Sequence, residues 1–98
     1  MRIEFADKKL ERMASELSFT GGFPPGVVKG FRKVVQAILA ATDERDLYDR
    51  PAFHFEKLER SKDEHSLRAN DQYRVILEIT GVAPNKTVRI MKIEDYHR

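Results

Sequence analysis

Apolar positions change their period along the chain. Arg2-Ile3-Glu4-Phe5 alternates, the pattern of a short strand. Leu10, Met13, Ala14 and Leu17 then recur at i, i+3, i+4 and i+7, which predicts a helix with one buried stripe. Gly21-Gly22-Phe23-Pro24-Pro25-Gly26 interrupts it. Pro25 is placed to open the next helix, because the first turn has no use for the amide hydrogen that proline lacks. That second helix is the longest predicted element, with Val27, Phe31, Val34, Val35, Ile38 and Leu39 as its apolar face. Thr42 to Pro51 is polar and acidic, with at most one helical turn around Leu47, and leads into the aromatic-rich run Phe53 to Leu58. His65 to Asn70, Tyr73 to Thr80 and Thr87 to Glu94 read as a meander of strands. Residues 81–86 supply the Gly, Pro and Asn of a turn between the last two. The order is β-α-α-β-β-β, an α+β domain in which two N-terminal helices pack on an antiparallel meander sheet.

Burial fixes the register of the first long hairpin, since a slip of one residue would expose every apolar side chain. With Asn70-Asp71-Gln72 as the loop, Ala69 faces Tyr73 and Leu67 faces Val75, and Leu77 and Ile79 join them on one side. Arg68 and Arg74 then lie opposite each other on the other face. Like charges in that position repel unless an anion or an acid sits between them, so the pair points to an anion site on an open sheet face.

Composition narrows the function classes. The 98 residues form one domain. At 41% apolar and 35% charged residues the chain is expected to fold as a soluble globule. With no cysteine it has neither disulfides nor thiolate metal sites, and no apolar run after Met1-Arg2 suggests export, so a cytoplasmic protein is expected. No apolar stretch approaches the roughly 18 residues that span a bilayer. The net charge of +2 is a weak sign of nucleic acid, but its distribution is uneven. Residues 1–42 carry +3, residues 43–64 carry −3 and residues 65–98 carry +2, and no acid lies between Leu17 and Thr42. Lys29, Arg32, Lys33 and Gln36 share a spacing on the outer face of the second helix, a basic stripe whose plainer role is solvation and whose functional role is contact with RNA. His54, His65 and His97 lack ligand spacing, so a metal site is not expected.

Two segments carry a resemblance. Ser66-Leu67-Arg68-Ala69-Asn70-Asp71-Gln72-Tyr73-Arg74-Val75 is similar to the Ser-Ile-Arg-x-Asn-x-x-Trp/Tyr-Arg stretch of HigB-type toxins of the RelE/ParE superfamily. Glu94-Asp95-Tyr96-His97 is similar to that family's terminal Asp-Tyr-His. The element order also resembles the RelE-like fold. This resemblance implies a toxin of a type II toxin–antitoxin system. Such a toxin cleaves mRNA in the ribosomal A site without a metal or other cofactor, and is partnered by a HigA-like helix-turn-helix antitoxin.

Cleavage without a metal needs a base for the ribose 2′-OH, cations for the charge gathering on the phosphate, and an acid for the departing 5′-oxygen. Arg74 and Arg68 are candidates for clamping the phosphate with forked donors. His97 is a candidate for proton exchange near neutral pH, Asp95 for orienting its ring, and Tyr96 for stacking on an extruded base. The family's internal histidine stands two residues before a Leu-Lys-Gly segment. Here that position, two before Leu58, is Glu56, and Glu59-Arg60 replaces the Lys-Gly. Glu56 or His54 is therefore the candidate base, since residues 54 and 56 point the same way on a strand.

The plainer readings are Arg68 and Arg74 paired with Glu56 or Glu78 at a solvated sheet face, and His97 as a frayed terminal side chain. Two competing functions stand beside the nuclease. One is a gyrase-poisoning toxin resembling ParE, which needs neither acid nor base. The other is a catalytically degenerate relative that only binds its antitoxin. The free toxin is expected to be monomeric.

Overall fold

The computed structural model describes residues 1–96. It is an α+β fold: β1 (Arg2–Phe5), α1 (Lys8–Ser15), α2 (Pro25–Ala40), a one-turn α3 (Arg45–Tyr48), a 3-10 turn (Pro51–Phe53), β2 (Glu56–Lys57), β3 (Glu64–Arg68), β4 (Tyr73–Thr80) and β5 (Thr87–Asp95). The five strands lie in the order β1-β5-β4-β3-β2. From β3 to β5 the sheet is the expected antiparallel meander; the two-residue β2 extends it antiparallel at one edge, and β1 adds itself parallel to β5 at the other.

Local chemistry sets the helix ends. Asp7 caps α1, its carboxylate accepting from the Leu10 amide at 2.8 Å. The helix stops at Ser15, because Glu16 has turned extended. Leu17 therefore lies beyond the helix and is 89% exposed rather than part of the buried stripe. Pro25 opens α2 as expected. Of the predicted apolar face, Val27, Phe31, Val34, Val35 and Ile38 are buried, whereas Leu39 is half exposed and Ala37 takes its place.

The core lies between the helices and one face of the sheet, where Leu67, Val75, Leu77, Val88 and Ile90 are fully buried against Phe31, Val34 and Ile38. Gly30 is where α2 crosses the β3–β4 hairpin: a Cβ there would sit 1.8 Å from the Ala69 carbonyl oxygen. Only glycine permits that approach, and it brings the hairpin tip against the helix.

The hairpin register is as predicted, with Leu67 opposite Val75 and Arg68 opposite Arg74. The outer face is not open there, however. Ser66 and Ile76 are fully buried on it. Arg60, from the β2–β3 loop, pairs with both Glu64 on β3 and Glu94 on β5, so its side chain lies across β4. A β-bulge between Ile76 and Leu77 leaves Met91 unpaired, which restores the apolar alternation of Ile90 and Ile93 toward the core. The run from Phe53 is not a strand from its start: His54 adopts a left-handed conformation (φ 46°) that ends the 3-10 turn, and pairing begins only at Glu56.

Candidate active site

Arg74 occupies the second position of β4, and its side chain is only 13% exposed. Its Nε donates to the buried Ser66 hydroxyl at 2.9 Å. One terminal nitrogen, Nη2, donates to the His54 carbonyl and, at 3.3 Å, to that of Ser66. The left-handed turn at His54 is what aims that carbonyl at the guanidinium. Glu56, opposite Ser66 in the β2–β3 register, places a carboxylate oxygen 3.8 Å from the same Nη2. The other nitrogen, Nη1, has no partner among the described residues. The Tyr96 ring centroid lies 5.7 Å from the guanidinium carbon. Arg68 turns away from its cross-strand neighbour and pairs with Asp71 in the hairpin loop. The like charges are thus each met by an acid, as the register argument requires.

His54, Arg68, Asn70, Asp71, Arg74 and Tyr96 together line a pocket of about 190 Å³ at the loop end of the β3–β4 hairpin. The sequence-predicted residues His54, Arg68, Arg74 and Tyr96 are therefore brought together, and Glu56 borders them. The assumption that residues 54 and 56 share a strand direction does not hold, since His54 is not in a strand. It reaches the pocket through the turn instead.

Asp95 pairs with Tyr73 at the end of β5, and its carboxylate accepts from the Gln72 side-chain amide at 3.3 Å. The Tyr96 amide donates to the Gln72 carbonyl at 2.7 Å. The loop that supplies Gln72 is held by Asn70, whose side-chain oxygen accepts from the amides of Gln72 at 2.9 Å and Tyr73 at 2.7 Å. Ser66, Asn70 and Gln72 are thus the residues that position the site. The one signal for them in the chain is the Asn in a three-residue loop, a residue suited to bonding its own backbone two positions on. His97 lies outside the described residues.

The end of β5 is tied down further by Glu94. Burial would raise its carboxyl, but hydrogen bonds from Lys92 and Arg60, with their charges, outweigh that and hold it below the usual carboxylate range. His65 is a structural histidine. It stacks on Phe55 with ring centroids 5.0 Å apart, and burial pushes its imidazole below the ordinary value.

On α2, Lys29 and Lys33 are exposed. Lys33 also lines a shallow depression with Gly30, Phe53, Arg68 and Asn70, which joins the helix face to the pocket. Arg32 is engaged differently: its guanidinium donates to the carbonyls of Met13, Glu16, Leu17 and Phe19 and so closes the end of α1. Among the described residues no three His, Asp or Glu side chains converge as a metal would require. Nor, among the described residues, is any helix long and apolar enough to cross a membrane.

What the pocket offers is a fixed guanidinium, a second one beside it, a carboxylate, an imidazole and an aromatic face, the components of phosphodiester chemistry on single-stranded nucleic acid. A search of curated protein sequences returns no match. Among solved structures the chain is similar in fold to a YoeB/ParE toxin from Agrobacterium tumefaciens, with a TM-score of 0.56 at 10% identity, over 99% of this chain and 100% of that one. Among protein families, residues 3–97 match the RelE-like toxin of type II toxin–antitoxin system HigB, and the chain therefore belongs to the HigB-like toxin family.

Proposed function

We propose that this toxin is an endoribonuclease that cleaves mRNA in the ribosomal A site by using its own side chains. The observation that carries the reading is the Arg74 guanidinium, held from one side by Ser66 and the His54 carbonyl and facing a pocket shared with Arg68 and Tyr96. A nearly buried cation already bonded on one edge keeps its remaining donors fixed in direction, the preorganisation that stabilises a phosphorane without reorganisation at the moment of reaction.

In this reading Glu56 or His54 takes the proton from the ribose 2′-OH. The 2′-oxygen attacks phosphorus, and the bond from phosphorus to the 5′-oxygen breaks. The leaving oxygen takes a proton from His97, giving a 2′,3′-cyclic phosphate and a 5′-hydroxyl. Arg74 and Arg68 carry the negative charge that gathers on the equatorial oxygens. Tyr96 stacks on the base next to the scissile bond. Asp95 orients His97, and Lys33, with Lys29 beyond it, continues the positive track along α2. The partner is a HigA-like helix-turn-helix antitoxin, and the setting is the cytoplasm, where ribosomes are.

A binding-only toxin is the competing reading. It is favoured by Glu56, which stands where the family has a histidine and lies 3.8 Å from Arg74, offsetting part of its charge. Primer extension on mRNA after induced expression separates the two. Codon-phased cuts that disappear in Arg74→Ala, and in a variant lacking residues 96–98, support the nuclease. Unbroken mRNA with normal growth supports binding alone.

A further inference from the structure

A second, larger concavity lies beside the pocket, and the cleavage chemistry leaves most of it unused. It is a groove of about 790 Å³ that follows α2 from Pro25 to Ala40. Val28, Ala37 and Ala40 make its floor, and Leu17 and Phe53 stand at its sides. Leu17 is 89% exposed, an apolar side chain left in water at the rim. The remaining rim carries the cations Lys29, Lys33 and Arg50, and no carboxylate among the described residues lines it. Neither lysine has an ion-pair partner among the described residues.

The form of the groove narrows its occupant. Lining positions recur at 25, 28, 29, 32, 33, 36, 37 and 40, one face of a helix over its whole length. With a rise of about 1.5 Å per residue this face is on the order of 24 Å long. The small side chains of Ala37 and Ala40 let a second helix approach α2 closely. Single-stranded RNA needs stacking faces along its path, and this floor is aliphatic with Phe53 alone at one end. An apolar floor between positive edges complements a helix with one aliphatic face and acidic flanks.

We propose that the groove docks an acidic amphipathic helix of the antitoxin that membership of a toxin–antitoxin family implies. The helix lies along α2, with apolar residues at i, i+3 or i+4 and i+7 on the floor and carboxylates against Lys29, Lys33 and Arg50. The proposal rests on the chain being the toxin of a type II pair and is independent of whether it cleaves RNA. Lys33 and Phe53 also line the depression leading to Arg68, so a helix seated here closes one approach to the pocket.

Fluorescence anisotropy on the full chain tests this with three labelled probes: an amphipathic leucine–glutamate peptide matched to the 16 residues of α2, the same peptide with lysine for glutamate, and a single-stranded RNA. The glutamate peptide is expected to bind and the lysine peptide not. Leu17→Glu and Ala40→Glu, both at exposed positions, are expected to weaken the peptide about tenfold while leaving the thermal melt and RNA binding as they were. The proposal is overturned if the glutamate peptide binds no better than the lysine peptide. It is equally overturned if the two substitutions leave peptide binding unchanged, or remove RNA binding in its place. Peptide binding as expected, from a protein that cuts no mRNA on ribosomes, sinks the nuclease and leaves the groove standing.

Discussion

Arg74 is a charged side chain with little access to water, and it is tolerable there because neighbouring oxygens replace the lost hydration. Ser66 matters most among them. Its side chain is fully buried, and its hydroxyl is the partner of Nε, the nitrogen that fixes the plane of the guanidinium. Removing that oxygen leaves the charge in place but frees its direction. Ser66→Ala is therefore expected to slow single-turnover cleavage on programmed ribosomes by roughly tenfold, with ribosome affinity unchanged. Arg74→Lys, which keeps the charge and loses the fork, should cost about 10² or more. Equal rates for Ser66→Ala and wild type would show that the buried hydroxyl is only filling space. The opposed arginines could be placed from alternation alone, because one face of the hairpin had to be apolar. Their partners could not, since Arg74 is satisfied by one serine hydroxyl and by the backbone carbonyls of His54 and Ser66, and carbonyls carry no sequence signature.

At the scale of elements, the short helix α1 shows how one side chain ends a helix from a distance. The last carbonyls of any helix lack internal partners, and here Arg32, on α2, donates to the Met13 carbonyl of α1 and to the carbonyls of Glu16, Leu17 and Phe19 that follow it. Arg32→Ala is expected to lower stability by roughly 1–2 kcal/mol, read as a lower urea midpoint, with faster hydrogen exchange confined to α1. An unchanged exchange pattern would count against this role. The junction after α2 depends on Asp43. The Arg45 side chain, and then its backbone amide, hydrogen-bond the carboxylate and hold it at about 2, below its ordinary 3.8. The folded state thus binds this proton less readily than the unfolded state does. The contribution is complete above about pH 4 and is lost as pH falls toward 2. Asp43→Asn should flatten that limb of a plot of urea midpoint against pH while leaving its slope near neutrality alone. These contacts explain which elements were legible. The period of apolar residues located β1, α2 and the three long strands, because each buries one continuous face. It overextended α1 to Leu17 because periodicity cannot see where a distant arginine takes the carbonyls. It also missed that Phe53 ends a 3-10 turn capped by a left-handed His54, because an aromatic side chain packs equally well from a strand or a 3-10 turn.

Across the whole molecule, charge is sorted in space more clearly than along the chain. The acidic segment 43–64 places Asp43, Glu44 and Glu64 in ion pairs with Arg45, Lys86 and Arg60. Lys29 and Lys33 are left without such partners among the described residues, and the depression joining α2 to the hairpin carries Lys33 beside Arg68. A modest net charge of +2 therefore coexists with a locally positive surface leading into the pocket. If RNA phosphates follow this route, each neutralised phosphate releases counterions, and the logarithm of the affinity falls with the logarithm of salt by about 0.7 per contact on a single strand. Lys33→Glu is expected to reduce the steepness of that salt dependence by roughly one contact, measured as binding of a catalytically silent Arg74→Ala background to ribosomes or to single-stranded RNA. Replacing Glu59, an exposed residue of the acidic segment, by Gln should leave the slope where it was. If Glu59→Gln also changes the slope, with the sign and size of its charge change, long-range net charge governs association. The path from α2 to Arg68 would then have no special part in it.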